Sequence, residues 1–324
     1  MSLTRRSTLG LMAGAVFAPS IVRAESFPSK VITLVVPYPA GGPTDAIARF
    51  VAQDLSVAFG HNVVVDNRAG ASGAVGTRAV AHGPADGYTI VFGNNQTHGN
   101  NMFLLKEPGY DAVKDFAPLA GVGAFEHAFV VRNGLPAKNI QELIALAKSQ
   151  PGKLSYASVG TGSPSHIAGE LFKLKTGIDM VHVPYKGGGP AVTDVIGGQV
   201  PILFVSMPAA WQHVKSGRLR ALAVTSDTRS VVAPDLPTLA EAGVADCVVN
   251  SWYGAFAPAK MPAATVQKLN AALVKVLQRP DIRDKLLAQG AEAAPSSAAE
   301  LDAIVKDELR KWEMVIRDAK IRPE

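Results

Sequence analysis

Val31-Ile32-Thr33-Leu34-Val35-Val36-Pro37-Tyr38-Pro39-Ala40-Gly41-Gly42-Pro43-Thr44-Asp45 is the stretch whose reading decides the fold. Its first six residues are an unbroken, β-branched apolar run, as expected of a strand covered on both faces. The run breaks at a Pro/Gly turn. Ala46 to Leu55 then places apolar residues at helical spacing. Adjacent glycines bring the backbone close to a partner without a Cβ in between, and the first-turn amides of the following helix carry partial positive charge. Strand, glycine turn and helix together predict an anion-receiving loop; an ordinary βα turn is the alternative at this point.

Working outward, the same unit recurs. Strand-like runs (Asn62–Asp66, Tyr88–Gly93) alternate with helix-like ones as far as Gly93. Two strand-like runs, Phe116–Val122 and Ala128–Arg132, then lead out of this series. A second βα series follows: helix 140–149, strand 154–158, helix 167–176, strand 180–183, helix 191–197, strand 202–205, helix 209–216 and strand 220–224. Val248–Ala257 reads as a strand returning toward the first series, and helices are expected over 264–277, 280–289 and 298–319. The alternation predicts an α/β fold of parallel-rich sheets. Two chain crossings, near Ala124–Val131 and Cys247–Ala257, predict two lobes joined by a hinge: 25–127 with 247–324, and 128–246.

Residues 1–24 stand apart. Arg5-Arg6, the uncharged apolar run Leu9–Ala18 and Val22-Arg23-Ala24 read as an export signal cut after Ala24. The apolar run is too short to cross a bilayer. Thr4–Leu9 also resembles a twin-arginine signal, with Thr8 and Gly10 departing from it. Export predicts a periplasmic protein. Removing the segment takes three arginines and no acid from the 324 residues, so the formal charge falls from +5 to +2. A near-neutral chain with scattered basic residues argues against nucleic acid or a membrane surface as the main partner. The lone Cys247 has no partner for an internal disulfide and suits a small buried apolar position.

Three further loops carry chemistry. Ser158-Val159-Gly160-Thr161-Gly162-Ser163-Pro164-Ser165-His166 repeats the first design and adds hydroxyls, with Pro164 suited to a first helical turn. Pro184-Tyr185-Lys186-Gly187-Gly188-Gly189-Pro190 opens another helix, and Gly93–Asn101 offers a dense set of neutral donors. Ligands of open α/β sheets sit beyond the carboxyl ends of the strands, which is where these loops fall. Metal, nucleotide and hydrolase motifs are missing. The seven histidines show no i, i+4 pair, the Gly160 loop lacks the third glycine of a dinucleotide fingerprint, and there is no G-x-S-x-G around Ser163. Neither a cofactor nor a metal is expected.

Five ordered motifs resemble a known family. They are Pro37–Asp45, Asp66-Asn67-Arg68-Ala69-Gly70-Ala71-Ser72-Gly73-Ala74-Val75-Gly76, Gly160–His166, Val183-Pro184-Tyr185-Lys186-Gly187 and Leu219–Ser226. Together they resemble the Bug-type extracytoplasmic solute receptors of the tripartite tricarboxylate transporters, over essentially the whole mature chain. The resemblance implies a two-lobed, type II periplasmic-binding-protein-like fold with the ligand cleft between the lobes. It also implies a ligand carboxylate held, partly through water, between the first loop and the Gly160 loop, delivery to a membrane permease, and no catalysis. Ala69 stands where the family commonly has proline. Val205-Ser206 stands where related receptors often carry an acid or amide after the phenylalanine, so a carboxylate without an α-ammonium group is expected.

The residues expected to line the cleft are Tyr38, Ala40, Gly41, Gly42, Asn94, Gln96, Thr97, Thr161, Gly162, Ser163, His166, Tyr185 and Ser206. Micromolar capture needs roughly 8 kcal/mol, and each hydrogen bond to a charged group supplies about 1.5–3 kcal/mol, so a handful of such donors suffices without an arginine clamp. Two other readings are a secreted hydrolase using Ser163 and His166 and a ligand-sensing co-receptor of a membrane sensor. A monomer is expected.

Overall fold

The computed structural model describes residues 27–318; the export signal expected over residues 1–24 and the expected helix end at Ala319 lie outside them. Strand β1 (Ile32–Val36) is followed by helix α1 (Pro43–Phe59), β2 (Val63–Asn67), α2 (Ala74–Ala81) and β3 (Thr89–Asn94). β1 lies between β2 and β3, parallel to both. Its side chains are covered on both faces, as the apolar run predicts: Leu34 and Val36 pack with α1 residues such as Ile47 and Val51, and Val35 packs with Val80 of α2. Helix α1 starts with Pro43 in its first turn and stops at Gly60, whose φ of 66° is the left-handed conformation glycine allows.

A π-helical turn over Gln96–Asn100 and a short helix α3 (Asn101–Leu104) follow β3, where a polar loop was expected. The two strands expected over 116–122 and 128–132 are one 17-residue strand, β4 (Phe116–Arg132). Irregular register at 118–120 and 121–123 lets its glycines stay within the ladder instead of ending it. Residues 116–126 pair with β9 (Asn250–Pro258), and from His127 onward the partners are β7 (Ile202–Ser206) and β8 (Leu219–Val224).

Beyond β4 come α4 (Ile140–Ser149), β5 (Ser155–Ser158), α5 (Pro164–Thr176), β6 (Val181–Pro184), α6 (Gly188–Ile196) and α7 (Met207–Lys215). The continuous order is β2-β1-β3-β9-β4-β7-β5-β6, with β8 and β10 (Glu292–Ala293) also on β4. Helix α5 begins three residues earlier than its periodicity predicts, because Ser163 caps it and Pro164 fits its first turn. After β9, α8 (Ala263–Leu277) and α9 (Pro280–Ala288) pack on the first core through Leu269, Leu273, Ile282 and Leu286. The last helix, α10 (Ala298–Asp318), begins beside β1 and β3 at Leu301 and Val305 and ends in the second core at Trp312 and Ile316. Its 21 residues reach roughly 31 Å at about 1.5 Å each, enough to lie across both. Among the described residues no helix is long and apolar enough to cross a membrane. Cys247 is buried, and burial pushes its thiol up to about 12.

Candidate functional site

The loop between β1 and α1 is organised by Asp45. Its buried carboxylate accepts the Gly41 N–H at 2.8 Å, the Arg49 Nε–H at 2.9 Å and the Asn67 amide at 3.0 Å. Burial opposes ionisation of Asp45, but these three bonds outweigh it and hold the carboxyl below its ordinary range. The Gly41 amide is therefore committed to Asp45, while the Gly42 N–H donates to no group among the described residues. Ala40 and Gly41 are exposed at the tip.

Tyr38 points from this loop to the next. Its hydroxyl donates to Asn94 Oδ1 at 3.0 Å, and burial pushes it above the ordinary phenol range. Asn94 Oδ1 also takes the backbone N–H groups of Gln96 (3.0 Å) and Thr97 (3.2 Å), while the Thr97 hydroxyl bonds back to the Asn94 carbonyl at 3.1 Å. The Gln96 amide donates to Asn101 Oδ1 at 2.7 Å. Of these expected ligand donors, Thr97 spends its hydroxyl, Asn94 its Oδ1 and Gln96 one amide proton on folding this π-helical turn and the start of α3, a geometry that gathers at functional sites, while the Nδ2 amide of Asn94 donates to no group among the described residues. Two neighbours supply unspent polar atoms: Asn95 Nδ2 and Asn100 Oδ1 are buried without partners among the described residues.

The third side is the loop before α5. Ser163 donates to the Gly160 carbonyl at 2.6 Å and accepts the His166 backbone N–H at 3.2 Å, while Gly162 N–H donates to His166 Nδ1 at 3.0 Å. The Thr161 hydroxyl, half-buried, has no hydrogen-bond partner among the described residues. This loop meets the second directly. Asn100 Nδ2 donates to the Gly162 carbonyl at 3.1 Å, and a Cβ on Gly162 would lie 2.4 Å from Leu104 Cδ1. Tyr38, Asn94, Gln96, Thr97, Gly162, Ser163 and His166 thus form one connected array drawn from both sides of β4.

Tyr185 lies beside it, its carbonyl 3.3 Å from where a Gly160 Cβ would be, but its hydroxyl turns away to Asp194 at 2.7 Å. Ser206 is paired with His127 where β4 changes partners, and no hydrogen bond among the described residues joins its side chain to the array. Asn100 and Asn95 were missed as individual positions; their run of amides was visible, but the 62-residue link from Asn100 to Gly162 has no local signature. The arginines nearest the first loop are engaged, Arg49 with Asp45 and Arg68 with Asp66, so the array offers neutral donors. Among the described residues no cluster of three or more His, Cys, Asp or Glu is placed to hold a metal. Two cavities, of about 340 and 150 Å³, are lined by other residues, the smaller beside Glu126 and Asn250 at the β4–β9 crossing.

Known proteins resemble this chain in sequence and fold. The sequence profile of the tripartite tricarboxylate transporter family receptor matches residues 47–321. The chain belongs to that receptor family. Protein BugT of Bordetella pertussis is 35% identical over 98% of each chain. Among solved structures, R. palustris Rpa4515 with adipate is 36% identical, with a TM-score of 0.89 over 92% of this chain and all of that one. MatC from Rhodopseudomonas palustris with bound malate is 32% identical, with a TM-score of 0.83 over 90% of this chain and all of that one. The receptor has the two-lobed periplasmic-binding-protein fold. The family is one of binding proteins, so the receptor is not an enzyme. The local geometry agrees: the Ser163 proton goes to a carbonyl and His166 Nδ1 to a backbone amide, so these two are not arranged as nucleophile and base.

Proposed function

We propose that the receptor captures a small aliphatic carboxylate between the Pro37–Thr44 loop and the Gly160–His166 loop and delivers it to the permease subunits of a tripartite transporter. The observation that carries this reading is that the turn after β3, tied to the first loop by Tyr38 and Asn94, meets the Gly160 loop through Asn100 and Gly162, with the Gly42 amide, the Thr161 hydroxyl and the Asn94 and Asn95 amides left as neutral donors. Such donors suit carboxylate oxygens. Adipate and malate, the acids bound by two relatives, define the class. An α-ammonium group would need a buried anion or carbonyl. Asp45, the acid of the first loop, is already enclosed by Arg49, Gly41 and Asn67.

The lobes are 25–127 with 247–324 and 128–246, except that the end of α10 reaches from the first onto the core of the second, and they close by bending where β4 changes partners after Glu126 and where β9 begins. The receptor works as a monomer in the periplasm after export. A thermal-shift and calorimetry panel of adipate, malate and amino acids tests the ligand class. Saturable stabilisation by an aliphatic carboxylate is the expected outcome; stabilisation by amino acids alone would overturn it.

A further inference from the structure

The Gly160–Ser163 loop is held by more than its own residues. Gly160, at φ 136°, turns its carbonyl inward, where it accepts from Ser163 Oγ at 2.6 Å, Ser163 N–H at 3.1 Å and Ser158 Oγ at 3.1 Å. An inward carbonyl matters for an anion site, because the same oxygen turned outward would face a carboxylate with its own negative end.

Ser158 has one proton and three partners. It accepts the Gly160 N–H at 3.2 Å, approaches the Gly160 carbonyl, and lies 2.7 Å from His182 Nε2. The assignment that satisfies all three gives the Ser158 proton to the carbonyl and makes His182 the donor through Nε2–H. His182 comes from β6, outside the loop. Its ring is stacked between Tyr156 of β5, centroids 5.0 Å apart, and His166 of α5, centroids 4.0 Å apart and planes 15° apart. His166 in turn accepts the Gly162 N–H. Two imidazoles therefore grip the loop at Gly160 and Gly162 and support each other face to face.

We propose that His182 is a positioning residue for ligand capture: as a neutral imidazole it fixes Ser158, Ser158 fixes the Gly160 carbonyl inward, and its stack on His166 steadies the acceptor that Gly162 needs. The inference rests on the reading that this loop receives the ligand. The charged and titratable groups facing the pair are Glu170 and Lys173 of α5 and Tyr156 of β5. Glu170 takes the Tyr156 hydroxyl at 2.6 Å and the Lys173 ammonium at 3.0 Å. Burial, the facing His166 and Lys173 together lower His182 to about 4, with Glu170 opposing. Above that value the pair is suited to be uncharged at His182. Acid that protonates His182 places a cation against the His166 ring whose Nδ1 holds the Gly162 N–H.

The test compares His182→Phe, which keeps an aromatic ring in the stack and removes the donor, with His182→Gln, which restores a side-chain N–H. Ser158→Ala removes the relay. Calorimetry with adipate at pH 7.5 is expected to show His182→Phe and Ser158→Ala weakened about ten-fold, the effect of one hydrogen bond, with His182→Gln recovering most of the loss and all melting cooperatively. Amide exchange on the ligand-free protein is the independent arm. Protection at Gly162 should fall in both weakened variants, and in the wild type between pH 6 and pH 4, while core amides of β1 stay protected. Wild-type protection at Gly162 in His182→Phe, or across that pH range in the unmodified receptor, would overturn the inference. A wild-type receptor that binds neither adipate nor malate would count against the functional reading instead, and the exchange arm would still decide the role of His182. If His182→Phe does not fold, Ser158→Ala and the wild-type pH series decide it.

Discussion

Gly42 and Gly162 are both loop glycines, yet the structure needs them for different reasons. Gly42 has φ −80°, and a Cβ there would sit 3.6 Å from the Pro39 carbonyl, an ordinary contact. Gly42→Val should fold with an unchanged melting temperature and lose affinity for adipate by about ten-fold or more, since the branched side chain covers the uncommitted Gly42 amide. Unchanged affinity in calorimetry would remove this turn from the site. Gly162 has φ 73° and presses on Leu104. Gly162→Ala is therefore a stability mutation, with an expected loss of about 1–3 kcal/mol in urea denaturation from left-handed strain and overpacking. Both roles had the same appearance in the sequence, since a glycine does not announce whether it makes room for a ligand or for a leucine.

At the level of elements, α1 depends on Asp45 reaching back to Gly41. Asp45→Ala should cost about 1–2 kcal/mol at pH 7, the worth of a cap plus a charged hydrogen bond. The sign with pH follows from its lowered folded value. The contribution of Asp45 is present above its ordinary value of 3.8 and is lost as pH falls through the depressed one, so wild type and Asp45→Ala should converge in urea midpoint as the pH is taken well below 3.8. A gap that stays constant down to that pH would show that the carboxylate charge is not what holds the turn. Helix α10 offers a second test. Trp312, 1% exposed, donates Nε1–H to Glu308 at 2.7 Å and packs in the core far from the helix start. Trp312→Ala should cost about 3–5 kcal/mol, read as a lower thermal midpoint; a loss under about 1 kcal/mol would mean that the end of α10 frays without consequence.

Across the whole molecule, three histidines set the acid limit. Burial lowers His98 and His127 to about 3, and burial with its neighbours lowers His182 to about 4. His98 is stacked on Phe256 at 3.8 Å, and His127 Nε2 is 2.8 Å from Ser251 Oγ. Because these folded values lie below the ordinary 6.5, the unfolded chain binds more protons as pH falls beneath 6.5. Stability should therefore decline from pH 6.5 downward, by up to about 1.4 kcal/mol per pH unit for each buried histidine, until the folded values are reached. Urea denaturation at pH 7, 6 and 5 checks this. A flat profile would mean that these rings are charged in the folded protein.

What the sequence by itself determined is what local chemistry encodes. The double-sided apolar run of β1, the alternation of strands and helices, the Pro43 and Pro164 helix starts, the Ser163 cap and the three glycine loops are all written within a few residues of where they act. Distant pairing decided the rest. Phe116–Val122 and Ala128–Arg132 are one strand because β9 pairs on through Gly123–Glu126 between them, and α10 joins both cores because of where its two ends land. In the candidate site, the loops could be located by sequence, but which donors remain could not. Gly41 is closed by Asp45, Thr97 and the Oδ1 of Asn94 are closed by their own turn, Asn100 meets Gly162, and His182 grips Ser158. A residue type fixes how many hydrogen bonds a side chain has to give; only the three-dimensional arrangement decides how many are spent inside the fold and how many are left for a ligand.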